Sequence, residues 1–281
     1  MTNPIESIAH YNQANLSGPV IKPLKQPVTL RLLAAALAAL SATTALAQTT
    51  TPALNRNIVV LDPAHGGSDN GARITDNLPE KQFTLAFAAR LRTLLTNAGF
   101  TVVATRDADV PTPTPAILTP DQRAGTANHV RAVACILIHA TTTGSGAHLF
   151  TSTLTPEDQP DPTAPIPWNA AQTPYLPLSL RLANQLGLAL IHANIPTILS
   201  PATIRPIDNL TCPAIALELA PLDSSTPLTN TTYQQHAAQA ITTALIAWRN
   251  QQPAPPKPPP PPTPAPAPES TPTTPPAGAP Q

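Results

Sequence analysis

The sequence predicts an α/β fold: a single domain with a mostly parallel twisted sheet flanked by helices. Three observations predict it. Short apolar, β-branched runs alternate along the chain with segments of helical apolar spacing. The stretch carrying this alternation is about 200 residues long, enough to bury one core. The polar residues that interrupt it fall at the carboxyl ends of the predicted strands, where open α/β sheets build their sites.

The elements follow in order. Residues 57–61 (NIVVL) form a β-branched run stopped by a turn, a buried strand. Residues 83–98 place Phe83, Phe87, Leu91, Leu94 and Leu95 on one helical face, and Gly99 supplies the stop. A second strand covers 100–105, a helix 123–132, a third strand 134–138 and a fourth 147–151. Residues 178–192 read as a helix, 214–219 (AIALEL) as a buried strand, and 233–248 as a long final helix.

Both ends differ from this core. In residues 1–47, Lys22, Lys25 and Arg31 precede an alanine-rich apolar run that ends in Ala45-Leu46-Ala47, the small-x-small pattern of an export signal. The run is about 16 residues, short of the roughly 20 that span a bilayer. An exported chain with no stable membrane span after cleavage is therefore expected, in the periplasm or cell envelope, with an uncleaved membrane anchor as the alternative. Residues 48–55 are a short linker. About half of residues 253–281 are proline, which favours an extended polyproline tail without helix or sheet. The functional domain is thus expected over 56–252.

Formal net charge is +0, and charged residues make up 11% of the chain, against roughly 25% in average soluble domains. Without a basic footprint, nucleic acid is not an expected partner. Gly66, Gly67 and Gly71 lack a following G-K-[ST], so no nucleotide loop is expected.

The chemistry-bearing residues are His65, Glu80, His139 and Glu218. His65 follows the first strand in Asp62-Pro63-Ala64-His65-Gly66-Gly67, and the glycines allow a tight turn. Glu80 opens the first helix, and His139 ends the third strand. Two imidazoles and a carboxylate with an open fourth position make the donor set of a catalytic zinc site. Zinc in that setting acidifies water toward a pKa of about 7 and polarises a carbonyl. Glu218, in an otherwise apolar strand, needs a partner or a role, since an unpaired buried carboxylate is costly. It is the candidate general base. Taken singly, each residue also has a plainer reading: Glu80 as a capping-box glutamate after Asn77, His65 as a turn residue, His139 as a satisfied buried histidine.

Taken in order, these motifs resemble the zinc-dependent N-acetylmuramoyl-L-alanine amidases of bacterial cell separation, over about residues 58–248. The family's D-P-G-H-G-G-type loop is similar to Asp62–Gly67, and its metal-binding glutamate stretch to Gly71-Ala72 and Glu80-Lys81. Its T-R-D turn is matched at Thr105-Arg106-Asp107 and its R-x-x-x-A-N helix at Arg123 to Asn128. The S-I-H-A strand end falls at Ile138-His139-Ala140, after a departure at the serine, and the P-A-V-L-V-E-like strand at Pro213 to Glu218. The resemblance implies one Zn2+ per chain on His65, Glu80 and His139. It implies Glu218 as the catalytic carboxylate and peptidoglycan as substrate, cut between N-acetylmuramic acid and L-alanine. It also admits an activator protein as partner. Ala64, the position of the serine, Thr141 and the segment after Glu218 depart from the family pattern, which bears on substrate subsites. Some members carry an inserted helix that blocks the zinc. The proline-rich stretch 152–177 is unlike a helix, so no plug is expected, although Glu157, Asp158 or Asp161 could reach inward.

Two rival readings share these residues: a catalytically weak zinc-containing module that binds peptidoglycan, and a zinc amidase or peptidase for another amide. Asp62 is a candidate to orient His65, or to cap a turn. His129, His148, His192 and His236 lack ligand partners at metal spacing and read as surface or core residues. Cys135 and Cys212 are expected as two buried thiols, with a disulfide as the alternative in an oxidising compartment.

Overall fold

A computed structural model describes residues 53–109, 118–155 and 165–253. The predicted export signal and most of the proline-rich tail lie outside the described residues. The central sheet has six strands: β1 (Asn55–Pro63), β4 (Thr101–Ala104), β5 (Ala132–Ala140), β6 (Ala147–Thr151), β7 (Thr197–Pro201) and β8 (Ala214–Leu219), in the order β4-β1-β5-β8-β6-β7. The four strands β4, β1, β5 and β8 run parallel, whereas β6 pairs antiparallel with β8 and carries β7 parallel to itself. The sheet is therefore mostly parallel, as expected, with a reversed pair at one edge. A two-stranded ribbon of β2 (Arg73–Thr75) and β3 (Leu78–Pro79) stands apart.

Among the described residues, four helices cover the sheet: α1 (Glu80–Asn97), α2 (Pro120–Asn128), α3 (Leu176–His192) and α4 (Thr231–Gln251). Strand alternation divides the core in two. One face joins Ile136, Ile138, Leu217 and Leu149 to Phe87 and Leu91 of α1, Leu182 and Leu186 of α3, and Ile241 and Trp248 of α4. The other joins Val60, Leu137 and Ala216 to Ala124 and Ala127 of α2 and to Ile207 and Leu210. The result is a three-layer α/β sandwich.

Helix boundaries differ from the sequence reading. α1 begins at Glu80 rather than Phe83, because Pro79 serves as N-cap and the Glu80 N–H bonds to Ala72 O at 2.7 Å. α2 begins at Pro120 and ends at Asn128. Thr119 and Gln122 form its capping box, and Ala132 already belongs to β5.

Cys135 and Cys212 form a disulfide, with Cα atoms 6.1 Å apart, which corrects the expectation of two thiols. Cys135 lies on β5, and Cys212 just precedes β8, its parallel neighbour. The expectation rested on both residues being apolar and buried, and they are, at 1% and 0% exposure. Burial does not separate a thiol from a disulfide; adjacency in the fold does. Among the described residues, no helix is long and apolar enough to cross a membrane.

Candidate metal centre

The carboxyl ends of β1, β5 and β8 lie side by side, and the loop after β1 folds over them. His65 stands in that loop with φ of +63°, a left-handed conformation that costs a side-chain-bearing residue about 1–2 kcal/mol. Two arginines hold the loop in place. Arg106 donates from Nε to Pro63 O (2.9 Å) and from Nη2 to Ala64 O (2.9 Å) and Lys81 O (2.8 Å). Arg123 donates to Pro63 O (2.8 Å) and His65 O (2.5 Å). The loop tip is tied by Gly67 N–H to Asp109 Oδ1 (2.7 Å) and by Lys81 Nζ to Gly67 O (2.6 Å).

Asp62 does not orient His65. Its carboxylate accepts from Arg123 Nη1 at 2.6 Å and from the Thr105 hydroxyl, so it anchors the clamp. The partner of His65 is Asp69, whose Oδ2 lies 2.9 Å from Nδ1. That leaves Nε2 turned toward Glu80, 3.0 Å from Oε2. Asp69 is placed there by the paired backbone hydrogen bonds between Gly66 and Asp69 (2.9 and 3.1 Å). No sequence signal singled it out among the polar residues of the loop.

Glu80 is 4% exposed, at the first turn of α1, where the helix dipole favours negative charge. It caps no helix through a capping box. Its Oε2 accepts from Ala72 N–H (2.8 Å) and its Oε1 from Ala140 N–H (3.0 Å) and faces His139 Nδ1 (3.2 Å). Burial pushes this carboxyl up, but the hydrogen bonds from His139, His65 and the two backbone amides outweigh it and hold it far below the usual carboxylate range. The contact with Glu80 in turn raises the His65 imidazole, against burial, with Asp69 adding to the rise.

His65, Glu80 and His139 each offer a ligand atom, and these atoms all lie within 4.8 Å of one another. The imidazole rings stand at 90°, with centroids 5.5 Å apart. Gly71 makes the space beneath them: a Cβ there would sit 2.5 Å from His65 Cδ2 and 2.6 Å from Glu80 Oε2. Two nitrogens and one carboxylate oxygen converging over a glycine cradle fit a divalent metal, and imidazole with carboxylate is a donor set that zinc accepts.

Glu218 pairs in register with His139 across β5 and β8, so both side chains rise from the same face. On its other side it pairs with His148 of β6, whose Nδ1 lies 2.8 Å from Glu218 Oε2. His148, expected as a surface or core residue, is therefore paired with Glu218. Sequence reasoning missed it because its partner is 70 positions away on a strand of opposite direction. The stretch expected to hold no plug is irregular where it is described, with short 3₁₀ turns at Trp168–Ala170 and Thr173–Tyr175. Glu157, Asp158 and Asp161 lie outside the described residues.

Residues 59–247 match the sequence profile of a family described as N-acetylmuramoyl-L-alanine amidase. A curated relative, N-acetylmuramoyl-L-alanine amidase AmiC of Neisseria meningitidis, is 39% identical over 71 residues, which cover 23% of this chain but only 17% of that protein. Among solved structures, the catalytic domain of CwlV, an N-acetylmuramoyl-L-alanine amidase from Paenibacillus polymyxa, superposes with a TM-score of 0.53 at 24% identity. That match covers 70% of this chain and 99% of the domain. Ami1 from Mycobacterium smegmatis gives a TM-score of 0.51 at 27% identity, covering 69% and 97%.

Proposed function

This chain belongs to the N-acetylmuramoyl-L-alanine amidase family, and on that footing we propose that it hydrolyses the amide bond between N-acetylmuramic acid and L-alanine in peptidoglycan. The observation that carries this reading is the convergence of His65 Nε2, Glu80 and His139 Nδ1 beside Glu218. In it, His65, Glu80 and His139 hold one zinc ion. Zinc in such a donor set serves as a Lewis acid that polarises a carbonyl and acidifies water.

The chain's own groups do the remaining work. Asp69 fixes the His65 ring by its Nδ1 edge and keeps Nε2 free to ligate. Ala72 and Ala140 hold the Glu80 carboxylate by their amides, so both of its oxygens are presented at fixed positions. Glu218 acts as general base toward water and then returns the proton to the leaving nitrogen of L-alanine, balancing the hydrolysis. The strand register supports that role, because Glu218 stands beside His139 without being drawn into the cluster around Glu80.

The enzyme acts outside the cytoplasm in this reading, in the periplasm or cell envelope, as part of wall remodelling or daughter-cell separation. The export pattern over residues 1–47 supports it, and so does the Cys135–Cys212 disulfide, a feature of oxidising compartments.

The test is incubation of the zinc-loaded protein with purified peptidoglycan, followed by mass spectrometry of the released fragments. Free stem peptides beginning with L-alanine, lost on chelation, are the expected result. Zinc binding with no bond cut, even after addition of envelope extract as a source of activator, would replace the hydrolase by a wall-binding module.

A further inference from the structure

Three titratable side chains form a row across adjacent strands: His139 on β5, Glu218 on β8 and His148 on β6. The row beneath it, Leu137, Ala216 and Phe150, is apolar. Two of the polar row already have a place in the reaction; His148 does not.

His148 is held from several sides. Its Nδ1 lies 2.8 Å from Glu218 Oε2, and its side chain is 15% exposed against 29% for Glu218. Gly144, with φ of +84°, lies against the far edge of the ring: a Cβ there would fall 2.7 Å from Cε1 and 2.9 Å from Nε2. The Phe150 ring stands across it at 82°. Tyr233 ties the two strands together: its single hydroxyl proton lies between Gly146 O (3.0 Å) and Ala220 O (2.8 Å), two residues from His148 and Glu218 respectively. A carboxylate only accepts, so the contact requires the proton on Nδ1. Among the described residues, Glu218 Oε1 has no hydrogen-bond partner.

We infer that His148 is the positioning residue of Glu218: its Nδ1–H pins Oε2 and leaves Oε1 as the oxygen that takes the proton from water. This inference rests on the amidase reading above. A glutamate on a strand has three side-chain torsions to fix, and holding a general base within hydrogen-bond reach of its proton is what makes it effective. Gly144 and Phe150 on either side of the ring keep the imidazole itself from turning.

The experiment compares the wild type, His148→Ala and His148→Asn, each as the full chain loaded with zinc, on soluble muropeptides. Asparagine can place an N–H donor where Nδ1–H stands. His148→Ala is expected to lower kcat roughly 10–100-fold, the usual effect of losing a group that orients another. KM should stay within about twofold and zinc content unchanged. His148→Asn is expected to recover most of kcat. Nitrogen-15 shifts should show the Nδ1–H tautomer of His148 in the wild type and lose that preference in Glu218→Ala. An active wild type with His148→Ala at full kcat, or an Nε2–H tautomer, overturns the inference and leaves the amidase reading intact. A wild type that cuts no amide overturns both. Should His148→Ala not fold, His148→Gln replaces it, since its amide does not reach the Nδ1 position: low kcat is expected, and full kcat overturns the inference.

Discussion

Asp69 Oδ2 stands 2.9 Å from His65 Nδ1, four residues along the same loop, and so decides which ring nitrogen of His65 faces Glu80. Without that contact the ring can turn and offer either nitrogen. Asp69→Ala is expected to weaken zinc binding roughly 10–100-fold while leaving the fold intact. Competition titration with a chromophoric chelator measures it, and an unchanged affinity would remove Asp69 from the site.

Gly71 is the second determinant of that geometry. Its φ of +64° alone costs an alanine at least about 1 kcal/mol, and the added Cβ would lie 2.6 Å from Glu80 Oε2. Gly71→Ala should therefore lose metal stoichiometry as well as melting temperature. A variant that is merely less stable, with a full complement of zinc, would show that the cradle tolerates the methyl group.

The electrostatics set a pH optimum for the metal-free protein. The Glu80 carboxyl lies below its ordinary 4.5, so its contribution is present above that pH and is lost as pH falls through the folded value. The His65 imidazole lies above its ordinary 6.5, so its contribution is present below 6.5 and is lost as pH rises through its folded value. Chelated protein should be most stable between about pH 4.5 and 6.5. Zinc requires unprotonated imidazoles and should move the optimum upward. Melting curves with and without chelator decide it; a metal-free optimum above pH 8 would contradict the shifts.

The disulfide gives a prediction that needs no substrate. Thiol titration of unreduced, denatured protein should find no free thiol. Replacing both cysteines by serine should cost about 2–4 kcal/mol in denaturant unfolding, since the bridge closes a loop of 77 positions.

Much of this was legible in the chain. The strands that flank the site are runs such as NIVVL and AIALEL, which have few alternatives to burial, and their ends located His65, His139 and Glu218. Other parts were not. β7 is a five-residue edge strand ending in proline with no fully buried position, so it carries no apolar signal. The ribbon of β2 and β3 is too short for any periodicity. Asp69 and His148 act through partners fixed by a loop bridge and by strand order, and neither can be read from spacing. The same holds for Cys135 and Cys212, whose pairing depends on β8 lying beside β5. The start of α2 could have been found, since Thr119-Pro120-Asp121-Gln122 is a complete N-terminal signature.

The two ends of the domain meet in the fold. Arg56, beside the start of β1, donates to Arg249 O at 2.8 Å, Trp248 donates to Val133 O at 2.9 Å, and Tyr233 bonds the turns on either side of the site. The first strand thus waits for the last helix. A chain emerging from its amino end, whether from a ribosome or a translocation pore, carries His65, Glu80 and His139 long before α4 can pack against the sheet. On the proposed reading, the fully packed site therefore comes only with a chain made as far as the end of α4 at Gln251.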